Sequence, residues 1–257
     1  MEEMLIKNVS KQFKGIKAVE NFNAHFKSGK IYGLIGTNGA GKSTVINMIS
    51  GSYKPTGGEI LFGEAHIEKM PSYKIANLGI VRTFQNLRLF KNMTVLENII
   101  VAEQLHYKYN FAQMLAATGK YRSTEREMRD RAYQILEIMG IQKYASLISG
   151  NLAYGHQRRL EIARCLATSP KFLLLDEPAA GMNPNESLTL VDDIRKINKD
   201  MGITILLIEH DMKVVMNLCE YIYAMASGKV ISEGDTNKIQ NDPEVIRAYL
   251  GGVEESA

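Results

Sequence analysis

Nine consecutive residues near the N-terminus combine glycines with a lysine and two kinds of hydroxyl residue, in the order GTNGAGKST. The stretch matches G-x-x-x-x-G-K-[ST], a pattern in which curled backbone points successive N–H groups at phosphate oxygens. Lys42 supplies a mobile positive charge for the β- and γ-phosphates, and Ser43 supplies a hydroxyl for Mg²⁺. The pattern predicts a nucleoside triphosphate site with a loop of Gly36, Thr37, Asn38, Gly39, Ala40, Gly41, Lys42, Ser43 and Thr44.

Two acidic residues, Asp176 and Glu177, follow a short apolar run at residues 172–175. An acid at the end of a buried strand can hold Mg²⁺ through its water shell, and we assign this role to Asp176. Glu177 points in a different direction and can orient and deprotonate an attacking water. An apolar run that ends in acids is common on its own, so this interpretation depends on the phosphate loop in the same chain.

A third stretch, residues 151–168, reads NLAYGHQRRLEIARCLAT and begins with small and polar residues before continuing as good helix formers. It carries three arginines, Arg158, Arg159 and Arg164. The stretch is either a basic helix that binds nucleic acid or a helix start that holds a phosphate, since helix N-termini attract anions. The arginines alone do not decide between the two.

The elements that must position these residues alternate along the chain. Short runs of alternating polarity at the N-terminus predict a β-hairpin or meander, and IYGLI predicts a buried strand that leads through the glycine loop into a helix at residues 42–50. The period becomes helical from about residue 86 to 167, and strands return with FLLLDE and ITILLI around a helix at about 186–198. We therefore expect an α/β core with parallel strands, a helical insertion and a final hairpin.

The clearest helical pattern is TEREMRDRAYQILEIMG, whose apolar residues share one face: Met128, Ala132, Ile135 and Met139. On the opposite face, Glu125 with Arg129 and Glu127 with Arg131 lie four residues apart and can stabilise the helix as exposed pairs.

Composition narrows the class of protein. The chain has 257 residues, of which 45% are hydrophobic and 23% charged, with a net charge of +3, so it has a globular composition and no strong bias towards a polyanionic partner. Only two cysteines, Cys165 and Cys219, are present, which argues against a disulfide framework. The acidic start is not a secretory signal, and the apolar runs are far shorter than the ~20 residues of a membrane-spanning helix.

In this order along the chain, the phosphate loop, the paired acids and the stretch at 151–168 resemble the ATP-binding cassette (ABC) family of transporter ATPases. The resemblance covers nearly the whole chain and implies one ABC ATPase domain, an α/β P-loop NTPase with a mixed-sheet core. It implies a RecA-like core with an N-terminal antiparallel β subdomain at residues 1–85 and 168–257, and a helical subdomain at about 86–167.

The resemblance also assigns roles to residues outside the loop. Gln85, in RTFQN, is similar to the glutamine that reaches Mg²⁺ and the water, and His210, in IEHD, is similar to the histidine that contacts the γ-phosphate. Phe13 resembles the aromatic residue that stacks on adenine, although a core phenylalanine is the alternative. Asn183 stands where many relatives have aspartate in the loop that crosses to the other subunit.

The stretch at 151–168 acquires a specific interpretation from the family. There, a helix start preceded by L-S-G-G-Q binds the γ-phosphate of ATP held by a second subunit, and Ala153, Tyr154, Gly155 and His156 occupy the matching places. Ala153 lacks the serine hydroxyl, so the backbone N–H groups and the helix dipole must hold the phosphate. His156, in place of glutamine, is either a neutral spacer or a group that makes the ATPase pH-dependent.

RTFQNLRLFKNMTVLENI, DEPAAGMNP and the ending DPEVIRAYLG are most similar to the ATP-binding subunit of the branched-chain amino acid importers. This subgroup implies ATP and Mg²⁺ as cofactors, a second cassette subunit (identical or related), transmembrane permeases and, indirectly, an extracytoplasmic solute-binding protein. It implies a peripheral position on the cytoplasmic face of the inner membrane and no nucleic acid. The alternatives are the ATPase of lipopolysaccharide export, a soluble cassette ATPase of DNA repair or the ribosome, and a small-molecule kinase.

Overall fold

The computed structural model describes residues 2–106 and 119–250. Within them the chain forms two compact units. We call residues 2–82, 171–180 and 194–250 the sheet unit, and residues 83–106, 119–170 and 181–193 the helical unit. The division of the chain into the core and inserted subdomain of one cassette stays a prediction.

The sheet unit contains a four-stranded antiparallel sheet at its N-terminal end. Its strands are β1 (Met4–Phe13), β2 (Ile16–Phe26), β4 (Gly57–Phe62) and β5 (Ala65–His66), in the order β2-β1-β4-β5. Burial alternates from Met4 to Ile6 in β1 and from Phe22 to Phe26 in β2, as expected of an antiparallel sheet with one face towards a core, and the alternation shifts where the register of the pair is irregular. The predicted N-terminal hairpin is therefore present as β1 and β2.

The second sheet of this unit positions the phosphate loop and the acids. Its strands are β3 (Ile31–Gly36), β6 (Ile80–Arg82), β7 (Phe172–Asp176), β8 (Thr204–Ile208), β9 (Tyr221–Ala226) and β10 (Lys229–Gly234). The order is β10-β9-β3-β8-β7-β6, with every pair parallel except β9 with β10. Every residue of β3, β7 and β8 is buried, which explains their continuous apolar sequence.

Helices complete both units. The sheet unit holds α1 (Lys42–Ile49), α2 (Ser72–Asn77), α7 (Met212–Leu218), α8 (Thr236–Asn241) and α9 (Pro243–Leu250). The helical unit holds α3 (Val95–Glu103), α4 (Gly119–Ile138) and α5 (Tyr154–Ala167), and α6 (Pro184–Met201) begins in it. Short 3₁₀ turns lie at Gln104–His106, Gln142–Tyr144 and Ser149–Asn151.

The predicted apolar face is buried at all four positions, Met128, Ala132 and Ile135 on α4 and Met139 directly after it. The exposed pairs predicted on the opposite face need a correction at Arg131. Its Nε lies 3.1 Å from Oε1 of Glu103, a fully buried carboxylate on α3. Arg131 therefore pairs with a buried acid of another helix. Residue spacing along α4 does not predict this contact.

The core of the sheet unit lies between its two sheets. Phe26 of β2 packs edge-on against Phe172 and Tyr223, with ring centroids 5.6 and 5.5 Å apart. Both cysteines are free, as predicted, and both are buried. No helix within residues 2–106 and 119–250 is long and apolar enough to cross a bilayer.

Candidate nucleotide site

The glycine-rich loop joins the end of β3 to the start of α1. Gly36 ends the strand, and Gly41, with φ of +103°, immediately precedes the first helical residue. Ala40 is buried and its carbonyl accepts a hydrogen bond from the Gly228 amide at 3.0 Å, which fixes the loop from behind. Asn38, Gly39 and Ser43 are exposed, while Thr37 and Thr44 are half-buried.

Two glycines of the loop have no room for a side chain. A Cβ on Gly36 would collide with the Met225 carbonyl oxygen, and one on Gly41 would lie 2.5 Å from the Ala18 carbonyl oxygen. Both residues also have positive φ, which an L side chain rarely adopts. The loop conformation therefore requires glycine at both positions.

Lys42 reaches back over the loop. Its Nζ donates to the carbonyl oxygens of Gly36 and Thr37 at 2.8 and 2.9 Å. Burial lowers the pKa of Lys42, while the charges of Glu177 and Asp176 oppose that shift and favour the ammonium form. The structure thus brings the lysine and both predicted acids into one electrostatic environment.

Asp176 ends β7 and is buried. Nη2 of Arg82 lies 3.3 Å from its Oδ2, while Nη1 of the same guanidinium donates to Asn47 Oδ1 at 2.7 Å and Ser50 Oγ at 3.1 Å. Because Asn47 lies on the helix that begins at Lys42, Arg82 ties the acid to the phosphate-loop helix. Sequence reasoning did not find Arg82, since no local pattern marks an arginine that pairs across 94 positions.

Glu177 and His210 face each other where β7 and β8 end. Nε2 of His210 and Oε1 of Glu177 are 2.6 Å apart, and the Glu177 amide donates to the Ile208 carbonyl at 2.9 Å. Glu177 has φ of +49°, in the left-handed region that non-glycine residues seldom occupy. The structure therefore brings together the predicted base and the predicted histidine.

Phe13 ends β1, and 39% of it is exposed, so it is not a core residue. Its ring packs edge-on against Tyr53 with centroids 5.3 Å apart, and Lys11 Nζ lies 4.9 Å from the ring centre. An exposed aromatic face with a neighbouring cation suits stacking on a flat base beside phosphates.

The helical unit contains Gln85 and holds its backbone tightly. Arg158 of α5 donates to the carbonyls of Gln85 at 2.7 Å and Phe84 at 3.0 Å, and to Glu161 at 3.1 Å. Arg158 and Glu161 are both buried. Arg158 is therefore a structural residue that positions the segment with Gln85, and its guanidinium binds protein groups.

The start of α5 offers backbone donors at Tyr154 and Gly155, since the His156 and Gln157 amides already donate to the Ala153 carbonyl at 3.0 Å. Ala153 is the N-cap residue and makes no side-chain cap, as its missing hydroxyl implies, while Gln157 Nε2 donates to the Leu152 carbonyl at 2.8 Å. A Cβ on Gly155 would lie 3.0 Å from the Glu186 carboxylate, so this part of the helix surface closely approaches α6. Unpaired N–H groups in the first turn are the donors that an anion would use.

The two unusual residues of this helix start differ in exposure. Tyr154 is exposed, whereas His156 is half-buried with its ring centroid 4.7 Å from that of Tyr144. Burial lowers the pKa of His156, and the charges of Arg159 and Lys143 lower it further. These shifts favour the neutral imidazole and hence the neutral-spacer interpretation.

Asn183 caps α6 through a reciprocal pair with Glu186. The Glu186 amide donates to Asn183 Oδ1 at 3.0 Å, and the Asn183 amide donates to Glu186 Oε2 at 3.1 Å. The motif N-P-N-E carries this capping signal in the sequence, an N-cap residue followed three positions later by glutamate. Sequence reasoning considered Asn183 only as a substitution for aspartate and missed its cap.

The donors of the sheet unit fit Mg²⁺ together with a nucleotide. The exposed Ser43 hydroxyl on the first turn of α1 and the Asp176 carboxylate are hard oxygen ligands. Mg²⁺ usually takes one or two such protein groups and completes its shell with phosphate oxygens and water. The guanidinium of Arg82 beside Asp176 shows that this carboxylate already accepts a cationic partner.

Comparison with known proteins identifies the family of the chain. Residues 19–180 match a family model described as ABC transporter, and residues 229–255 match one described as branched-chain amino acid ATP-binding cassette transporter. The chain is 47% identical over 240 residues, which cover 93% of it and 94% of the relative, to a high-affinity branched-chain amino acid transport ATP-binding protein, LivG, from Escherichia coli K12.

Solved structures similar to this chain are also ATP-binding cassettes. An ATP-binding cassette of an ABC transporter in its ADP conformation has a TM-score of 0.84 and 32% identity, covering 98% of this chain and 99% of the other. A dimeric ATP-binding cassette in a post-hydrolysis state, bound to ADP and phosphate, has a TM-score of 0.76 and 27% identity, covering 91% and 98%.

Proposed function

Since the chain belongs to the ABC transporter family and is an ATP hydrolase, we propose that it powers an importer of branched-chain amino acids. The observation that carries this proposal is the near full-length similarity to LivG, a protein of branched-chain amino acid transport. The separate C-terminal match to the branched-chain amino acid cassette model supports the same subgroup, because it lies outside the region shared by ABC transporters in general.

ATP binding is the first step that the site supports. The loop at residues 36–44 takes the phosphates through its backbone N–H groups, Lys42 neutralises charge on the β- and γ-phosphates, and Phe13 stacks on adenine. Ser43, Asp176 and Gln85 would hold Mg²⁺, which neutralises phosphate charge when it is bound.

Hydrolysis then depends on Glu177 and His210. Glu177 orients the attacking water and accepts its proton as general base. His210, whose Nε2 lies 2.6 Å from Glu177 Oε1, holds that carboxylate and contacts the γ-phosphate. Positioning supplies most of the acceleration in phosphoryl transfer, so the short contact between the two residues is part of the chemistry.

We extend the proposal to a dimer of cassettes, in which Ala153, Tyr154, Gly155 and His156 of one chain bind the γ-phosphate held by the other. The Tyr154 and Gly155 amides at the start of α5 support this role, and one structural relative is described as dimeric. Closure on ATP would move the helical unit, and hydrolysis would reopen the pair. Membrane permeases would receive this motion on the cytoplasmic face of the inner membrane, and a solute-binding protein would deliver the amino acid.

The test of the biological assignment is recovery of the tagged chain from native membranes in mild detergent, followed by mass spectrometry of the proteins that accompany it. Two multi-span permeases and a second branched-chain-type cassette would support the importer and identify a heterodimer. Recovery with lipid-export permeases or with ribosomes would refute the importer and leave the ATPase chemistry intact.

The test of the mechanism is Glu177→Gln. We expect ATP to bind with nearly unchanged affinity while multiple-turnover hydrolysis is lost, because the amide cannot accept the proton of the water. Glu233→Gln, at an exposed residue of β10, is the matched control and keeps the parent rate. Sustained turnover by Glu177→Gln would contradict the assignment of the general base.

A further inference from the structure

Three contacts join the segments that follow the neighbouring parallel strands β7 and β8. The Glu177 amide donates to the Ile208 carbonyl at 2.9 Å, and the Ala179 amide donates to Glu209 Oε1 at 2.8 Å. The third contact is the 2.6 Å pair of Glu177 Oε1 and His210 Nε2. Three consecutive residues, the last of β8 and the two that follow it, thus hold the segment that carries Glu177.

Glu209, the middle residue of the three, is a buried carboxylate of which only 4% is exposed. Its Oε1 accepts from Ala179, and its Oε2 accepts from the amide of the next residue, His210, at 3.2 Å. Both oxygens are therefore used, one on each segment. A buried carboxylate persists in a folded protein when such donors compensate for its lost hydration.

The two segments need this fixation for a physical reason. Glu177 lies at φ of +49°, a conformation that persists only where the surrounding structure holds it. Its carboxylate must also stay within reach of His210, and no regular secondary structure continues past Asp176 or Ile208 to hold either residue. A single side chain that binds the backbone of both segments meets this need.

We propose that Glu209 is a positioning residue for ATP hydrolysis, which fixes the segment Glu177–Ala179 against His210 by accepting a backbone N–H from each side. This inference rests on the proposed roles of Glu177 and His210. It requires a carboxylate rather than an amide, because a glutamine has one acceptor oxygen and would turn its NH₂ group towards one of the two N–H donors.

Glu209→Gln tests the proposal with little change of side-chain volume, and Glu209→Met, which removes both acceptors, extends the series. We expect kcat to fall at least about tenfold in Glu209→Gln and further in Glu209→Met, since misplacement of about 1 Å can cost about a hundredfold in rate. KM for ATP and the affinity for ATP stay within about twofold of the parent, because the phosphate loop is untouched. Glu233→Gln is again the control for loss of an exposed carboxylate.

Each other outcome overturns the proposal. A parent-like kcat in Glu209→Gln would show that the two N–H contacts do not position the site. A loss of ATP binding in parallel with kcat would make Glu209 a residue of general folding. Measuring Glu177→Gln in the same series separates the two proposals: turnover in that variant refutes the base, whereas its inactivity beside a parent-like Glu209→Gln refutes the positioning role alone.

Discussion

Replacing Arg158 by methionine tests whether this arginine of the arginine-rich helix α5 stabilises the fold. Arg158 is 2% exposed and loses four donor contacts in this variant: to the Gln85 and Phe84 carbonyls, to Glu161 and to the Tyr154 hydroxyl. Methionine keeps the apolar stem but leaves the Glu161 carboxylate buried without its cation. Breaking a buried ion pair on one side typically costs about 3–5 kcal/mol, and we expect a loss of unfolding free energy in this range.

Urea denaturation measures this loss. The chain contains no tryptophan, so circular dichroism at 222 nm, which reports the helices, is the suitable probe. Arg129→Met, at an exposed arginine of α4, is the matched control and stays within about 0.5 kcal/mol of the parent. ATPase activity falls with Arg158→Met at temperatures where the variant is folded, because the backbone of Gln85 loses its 2.7 Å donor.

The double variant Arg158→Met with Glu161→Leu decides whether the buried charge is the cause. Removing both partners leaves no uncompensated carboxylate, while the Phe84 and Gln85 carbonyls and the Phe84 amide still lose their partners, so we expect the double variant to regain part of the stability that the single variant loses. A single variant within about 1 kcal/mol of the parent would refute the reasoning. So would a double variant no more stable than Arg158→Met.

Three further predictions concern other polar groups. Arg82→Met leaves the buried Asp176 without its cationic partner and lowers the urea-derived unfolding free energy by about 3 kcal/mol; an unchanged value would refute the pairing. Burial raises the pKa of Glu103 to about 7, so its contribution to stability is complete below about pH 4.5 and is lost as the pH rises through 7. Relative to Glu103→Gln, the parent should therefore lose at most about 3 kcal/mol between pH 5 and 8 in urea titrations, and parallel pH curves would contradict this. Ala153→Ser adds a donor and cap at the start of α5 and tightens ATP-driven dimerisation about tenfold, whereas an unchanged dimer constant across an ATP titration would refute it.

The features that could be predicted from sequence are those encoded by neighbouring residues. The phosphate loop needs glycine at positions 36 and 41 because of the φ angles there and the close approach of other backbone atoms. The nine-residue motif at positions 36–44 contains this requirement. The strands and the apolar face of α4 follow from local periodicity in the same way. The Asn183 cap is also local, because Glu186 follows it by three positions.

The contacts that sequence reasoning missed join residues far apart in the chain. Arg82 meets Asp176 across 94 positions, and Glu209 meets Ala179 across 30. Arg131 pairs with Glu103 on another helix and is not limited to the exposed face of its own helix. Periodicity cannot reveal such partners, because a charged residue has the same letter whether it is buried in a pair or exposed to solvent.

The buried acids of the sheet unit lie where other groups of the chain compensate for their lost hydration. Burial of an uncompensated charge is so unfavourable that each must bind a partner in a defined geometry. Asp176 is held by Arg82, and Glu209 is held by two backbone amides; both lie where strands of the parallel sheet end. An apolar side chain in either place could fill the volume, but it could not set the direction of an acid or of a loop. We therefore expect substitutions at Arg82 and Glu209 to have different effects. Substitution of Arg82 lowers both stability and activity, whereas substitution of Glu209 lowers kcat and leaves stability nearly unchanged.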